Sequence, residues 1–147
     1  MVKAIYFDMD GTIADLYGVE NWLDDLINER VRPYAKARPL VNMNVLARRL
    51  NNLQKKGYTI GIISWLAKNG TEEYNKAVAE TKIKWLKNHL KSVNWDEIKI
   101  VPYGTPKEET ASYPQGILFD DENGNRKNWT GKAYTENQIM EILRAVG

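Results

Sequence analysis

Apolar residues gather in four short runs along the chain: KAIYF (residues 3–7), TIGIIS (59–64), IKIV (98–101) and GILF (116–119). Each run is nearly continuous rather than alternating, which is the pattern of strands covered on both faces. Between the runs the spacing becomes helical. In MNVLARRLNNLQKKG, Met43, Leu46, Leu50 and Leu53 share one face, and Gly57 offers a C-terminal stop. Thr71 predicts the cap of a long helix carrying Tyr74, Val78, Trp85, Leu86 and Leu90. Thr135 and Gln138 form a capping-box pair ahead of Ile139, Ile142, Leu143 and Val146. Strands alternating with helices predict right-handed crossovers. The expected fold is α/β: a three-layer α/β/α, Rossmann-like arrangement around a mostly parallel sheet.

One segment interrupts the alternation. Residues 16–40 lie between the first strand and its expected crossover helix. Trp22, Leu23, Leu26, Ile27 and Val31 give this segment a helical stripe, which Pro33 and Pro39 are expected to break. The alternative, an ordinary first helix with a long loop, runs against the rarity of loops longer than about 12–15 residues. The segment therefore reads as a small helical insertion at the C-terminal end of the first strand, within a single domain spanning 1–147.

Composition narrows the function classes. The chain is 43% hydrophobic and 27% charged, a balance that fits one globular domain with its own core. A net charge of +2 argues neither for nor against an anionic partner in bulk. With no cysteine, disulfides, thiolate catalysis and zinc–sulfur sites are ruled out. A charge at Asp8 precedes any leader-like apolar region, and the longest apolar stretch, TIGIISWLA, is about half the ~20 residues of a membrane helix. The expectation is a soluble, cytoplasmic protein without membrane contact.

In an open parallel sheet, ligands bind beyond the carboxyl ends of the strands. The first strand delivers Asp8, Met9 and Asp10, then Gly11 and Thr12. The second delivers Ser64 and Trp65, the third leads to Lys107 at a helix start, and the fourth delivers Asp120 and Asp121. So many carboxylates on one rim require cations to offset them. The donors are all oxygens and His89, on a helix surface, lies elsewhere, so a hard ion is favoured, with Mg²⁺ the default. Lys68, Lys82 and Lys84 compete with Lys107, but Lys82 and Lys84 sit in mid-helix and read as solvated face charges. Trp22 and Trp65 lie near the rim, where either ring is able to stack on a base.

FDMDGT resembles the D-x-D-G-[TV] nucleophile motif of the haloacid dehalogenase (HAD) superfamily. A hydroxyl in IISW, a lysine before the last motif and the acid pair of ILFDDENG follow in the family's order. The resemblance covers about residues 3–123 and puts the insertion at the family's cap position. It implies a HAD core and a Mg²⁺-dependent phosphomonoester hydrolase. Asp8 would be the nucleophile, forming an aspartyl-phosphate, and Asp10 the general acid and base. Ser64 and Lys107 would hold the phosphoryl oxygens, with Gly11, Thr12 and Trp65 also facing substrate. Asp8, the Asp10 carbonyl and Asp120 would hold Mg²⁺, with Asp121 behind them orienting Lys107 or a metal-bound water.

FDMDGTIADLYG and RPLVNMNVLARRL further resemble the 5′(3′)-deoxyribonucleotidase branch, implying a nucleotide or another small phosphorylated metabolite as substrate. That branch carries a larger cap than the ~25 residues here. A shorter cap leaves the cleft more open, so nucleic-acid ends or phosphoproteins stand as alternative substrates. The contrasting class is a phosphate-binding regulatory module without turnover.

Overall fold

The computed structural model describes residues 2–147. Its strands are β1 (Ala4–Phe7), β2 (Ala14–Asp15), β3 (Arg38–Pro39), β4 (Thr59–Trp65), β5 (Glu97–Val101), β6 (Ile117–Phe119) and β7 (Lys132–Tyr134). Its α-helices are α1 (Trp22–Ile27), α2 (Arg32–Lys36), α3 (Met43–Lys55), α4 (Glu72–His89), α5 (Lys107–Thr110), α6 (Asn123–Asn128) and α7 (Ile139–Val146). Five strands form one parallel sheet in the order β5-β4-β1-β6-β7. The four apolar runs are its first four strands in chain order. β7 is an addition, a three-residue edge strand opening on an exposed lysine, too short and polar for periodicity to mark. β2 and β3 make a separate antiparallel pair.

The central strand sorts its side chains by the pleat. Ile5 and Phe7 face a core built with Leu46, Leu50 and Leu53 of α3, Trp85 and Leu86 of α4, and Ile139 and Leu143 of α7. Ala4 and Tyr6 face a smaller core with Ile63, Leu118, Ala111 and Trp129, beneath α5 and α6. Helices thus cover both faces. The caps that start and stop them are local. Asn42 and Thr71 accept from the amides of Val45 and Tyr74, both at 3.1 Å. The Thr135–Gln138 capping box leads through a 3-10 turn into α7.

β1 is also where the chain changes direction across the sheet. It moves from β1 to β4 and β5, then returns to β6 and β7 on the other side. The crevice above β1 and β6 is therefore the topological switch point of the fold.

The 16–40 segment folds as a 3-10 turn, α1, α2 and β3. Pro33 does not end a helix as expected. It sits in the first turn of α2, where a missing N–H and a fixed φ cost nothing. Leu16 and Tyr34 pack with Tyr74 and Val78, anchoring the segment to α4. The turn between α1 and α2 closes around buried Asp25, which accepts from Arg30 at 3.2 Å and Arg32 at 2.8 Å. Leu23 and Ile27, expected on a buried stripe, are 55% and 70% exposed. They face a cleft rather than the core.

Candidate active site

The loop after β1 is tied tightly. The Asp8 amide donates to the Phe119 carbonyl at 2.9 Å, extending the β1–β6 pairing by one residue. The Met9 carbonyl then accepts from the amides of Thr12, Ile13 and Ala14 at 3.1, 3.0 and 2.9 Å. That carbonyl is fully engaged, which fits Asp10 rather than Met9 as the backbone ligand of a cation. Gly11 takes φ +80°. A side chain there would also collide with the Asp121 carboxylate and the Tyr17 ring, so glycine answers two demands at once.

The two aspartates of the motif are held by different lysines. Lys107 Nζ donates to Asp8 Oδ1 at 2.9 Å and to Asp120 Oδ2 at 2.8 Å. Lys82 Nζ donates to Asp10 Oδ2 at 2.8 Å, to Ser64 Oγ at 2.7 Å and to the Trp65 carbonyl at 2.7 Å. Both lysines are buried, with exposures of 1% for Lys82 and 2% for Lys107. Lys82 is therefore not a solvated face charge. The signal was in the helical register: Tyr74, Val78, Lys82, Trp85 and Leu86 form one buried stripe on α4, and a lysine inside an apolar stripe needs buried partners.

Thr12 was expected to face substrate. It is fully buried, with its hydroxyl 3.0 Å from Asp8 Oδ2 and accepting from the Asp121 amide at 3.1 Å. It braces the acids from below. Ser64 is likewise fully buried at the end of β4, with Lys82 as its partner, and neither Thr12 nor Ser64 lines the cleft. Trp65 does line it, held by its indole N–H to the Thr105 carbonyl at 2.8 Å and packed on Tyr103. Asp120 is almost fully engaged: Oδ1 accepts from the Glu122 amide at 2.9 Å, and Oδ2 from Asn125 at 3.1 Å as well as from Lys107.

Asp121 stands in the cluster, not behind it. One oxygen from each of Asp8, Asp120 and Asp121 lies within 4.8 Å of the others. This all-oxygen, carboxylate-rich set fits a hard divalent ion such as Mg²⁺. The electrostatics agree with a cation-binding role. Burial pushes the Asp8 carboxyl up, but Lys107, hydrogen bonds and Lys82 outweigh it and keep it ionised. Burial and then the Asp8 charge push Asp120 up to about 6. Burial, a hydrogen bond with Asp8 and the neighbouring charges push Asp121 up to about 8. Burial also raises Asp10, with the Asp8 charge adding to it and Lys82 opposing. On Lys107, burial is outweighed by the charges of Asp8 and Asp120, and the ammonium is retained.

Above the acids opens a cavity of about 430 Å³. Tyr17, Trp22, Leu23 and Ile27 form one wall; Trp65 and Tyr103 stand in the other, with Lys68 beside them. The floor is Asp8, Asp10, Lys107 and the acid pair. Of the basic residues near the insertion, Arg32 is occupied by Asp25, while Lys36 and Arg38 line a separate depression with Asp15 and Glu20.

These features define an α/β protein with a charged site at its switch point and an apolar, aromatic cleft above it. No protein-family model matches the chain, and no curated protein matches its sequence. Among solved structures it is similar to the D,D-heptose 1,7-bisphosphate phosphatase of Burkholderia thailandensis. The TM-score is 0.51 at 12% identity, over 85% of this chain and 70% of that one. The chain thus has the Rossmann-like fold of that phosphatase.

Proposed function

We propose that this chain is a Mg²⁺-dependent phosphomonoester hydrolase of the HAD superfamily, acting through an aspartyl-phosphate on Asp8. The observation that carries the proposal is the arrangement of Asp8: an ionised carboxylate at the cleft floor, bonded to Lys107, two residues from Asp10 and beside two more acids. The likeness in fold to a bisphosphate phosphatase supports it.

An Asp8 oxygen attacks phosphorus, the bond from phosphorus to the leaving oxygen breaks, and Asp10 gives that oxygen a proton. Asp10 then takes a proton from the water that attacks the phosphoryl group, and the bond from phosphorus to Asp8 breaks. Lys107 neutralises the attacking carboxylate and the charge gathering on the phosphoryl oxygens. Asp8, the Asp10 carbonyl and Asp120 or Asp121 would hold a Mg²⁺ ion, which would supply charge neutralisation for the phosphoryl group.

The substrate is a small phosphorylated metabolite, with a nucleotide favoured. The aromatic rings of Trp22, Tyr17, Trp65 and Tyr103 around the cleft support a planar leaving group. A panel of phosphorylated metabolites with Mg²⁺, including 5′- and 3′-nucleotides and sugar phosphates, tests this. Selective turnover of nucleotides is the expected result. Equal turnover of sugar phosphates removes the nucleotide assignment, and no turnover of any phosphomonoester removes the enzyme.

A further inference from the structure

Lys82 is the group that the proposed reaction leaves unused. It lies on α4, not at a strand end, and all three of its N–H donors are taken. Two of them, to Ser64 Oγ and the Trp65 carbonyl, fix the ammonium to the end of β4. The third reaches Asp10 Oδ2, on a side chain that retains 17% exposure and lines the cleft. The Tyr34 ring lies 5.1 Å from the same nitrogen and closes it off from the insertion side.

A purely structural role explains this poorly. Holding α4 against β4 needs only an apolar side chain, and a buried ammonium costs desolvation that such a residue avoids. What an apolar residue lacks is a donor for Asp10. The loop carrying Asp10 has its own backbone knot, but nothing in that knot touches the Asp10 carboxylate.

We propose that Lys82 is a positioning residue for Asp10. Anchored on Ser64 and the Trp65 carbonyl, it claims Oδ2 and leaves Oδ1 as the oxygen that gives and takes the proton. Resting on the phosphatase activity proposed above, this places Lys82 behind the acid–base step rather than on the phosphoryl group.

The test is a double-mutant cycle with two leaving groups. Wild type, Lys82→Met, Asp10→Asn and the double variant are assayed with Mg²⁺ on p-nitrophenyl phosphate and on an alkyl phosphate. The nitrophenolate departs without a proton; the alkoxide needs one. Folding is followed by near-ultraviolet circular dichroism. The expected loss for Lys82→Met is about 100-fold in kcat/KM on the alkyl ester and about tenfold or less on the aryl ester, because kcat/KM reads the first half-reaction, while kcat falls on both esters through the second step they share. Added to Asp10→Asn, it costs about threefold or less again, because both changes remove one unit. Equal losses in kcat/KM on the two esters, or losses that multiply in the double variant, overturn the role while leaving the phosphatase standing. An inactive wild type removes both.

If Lys82→Met does not fold, the absence of cysteine offers a second route. Lys82→Cys, aminoethylated in denaturant and refolded, restores an ammonium at nearly the same reach. Recovery of the wild-type ratio of alkyl to aryl kcat/KM is expected. Recovery of folding without that ratio overturns the proposal.

Discussion

Lys107 meets Asp8 at 2.9 Å although ninety-nine residues separate them in the chain. The contact exists because β1 and β6 are neighbours and α5 returns across the opposite face. It also leaves an imbalance. One ammonium serves Asp8 and Asp120, and Asp121 stands within reach of both with no cation of its own among the described residues.

That imbalance sets a pH dependence for metal-free protein. The folded pKa of Asp121 is about 8 and that of Asp120 about 6, both above the ordinary 3.8. The folded state therefore binds these protons more tightly than the unfolded chain. Stability should fall as pH rises from about 4 to about 8. Melting temperatures in EDTA should decline across that window, and saturating Mg²⁺ should flatten the decline. Asp121→Asn should flatten it without metal and weaken Mg²⁺ binding by about 10–100-fold, read by calorimetry.

Asp10→Asn should separate the two half-reactions. An activated aryl ester needs no proton for the first step, but water still needs a base for the second. A burst of p-nitrophenol of about one equivalent, followed by a stall, is expected in stopped-flow traces. Fast release that continues without a stall would place Asp10 outside the second step.

Gly11→Ala should damage the site more than the fold. Its φ of +80° disfavours a side chain, and the added methyl meets Asp121 and Tyr17. We expect a loss of about 1–3 kcal/mol in stability from the backbone alone. Mg²⁺ affinity should fall alongside, since the collision displaces a clustered carboxylate.

How far the sequence reveals this molecule depends on how local each signal is. The four strands, the caps Thr71 and Thr135, and the helix start at Lys107 are all written in neighbouring residues, and the structure has them. The gathering of Asp8, Asp10, Lys107, Asp120 and Asp121 follows from strand-end placement alone. Lys82 carries no such local signal for its partners, because Asp10 and Ser64 are seventy-two and eighteen residues away. The polar stretch NGNRKN hides α6, and β7 is too short to show a period. Pro33 carries the mark of a breaker, yet position within a helix, not identity, decides its effect. The exposed faces of Leu23 and Ile27 carry the same apolar spacing as a buried stripe, so only the fold separates a cleft wall from a core.

Away from the site, Tyr6 offers a check on the second core. Its hydroxyl donates to Glu97 Oε2 at 2.6 Å and accepts from the Tyr113 amide at 3.1 Å. Burial raises the Glu97 carboxyl, but hydrogen bonds from Tyr6, Ser112 and Lys99 outweigh it and hold the group low. Its stabilising share is present above the ordinary glutamate range and is lost as pH falls through the lowered value. Tyr6→Phe should cost about 1–3 kcal/mol by denaturant unfolding at neutral pH, with a smaller difference in acid.

The central claim is that Asp8 becomes phosphorylated. Acid quenching during turnover, followed by mass spectrometry of the peptide carrying Asp8, measures this directly. The account predicts one added phosphoryl group on Asp8, labile to hydroxylamine, more abundant in Asp10→Asn and absent in Asp8→Asn. Turnover of phosphomonoesters that persists in Asp8→Asn, or a phosphoryl group trapped on another residue, would contradict it.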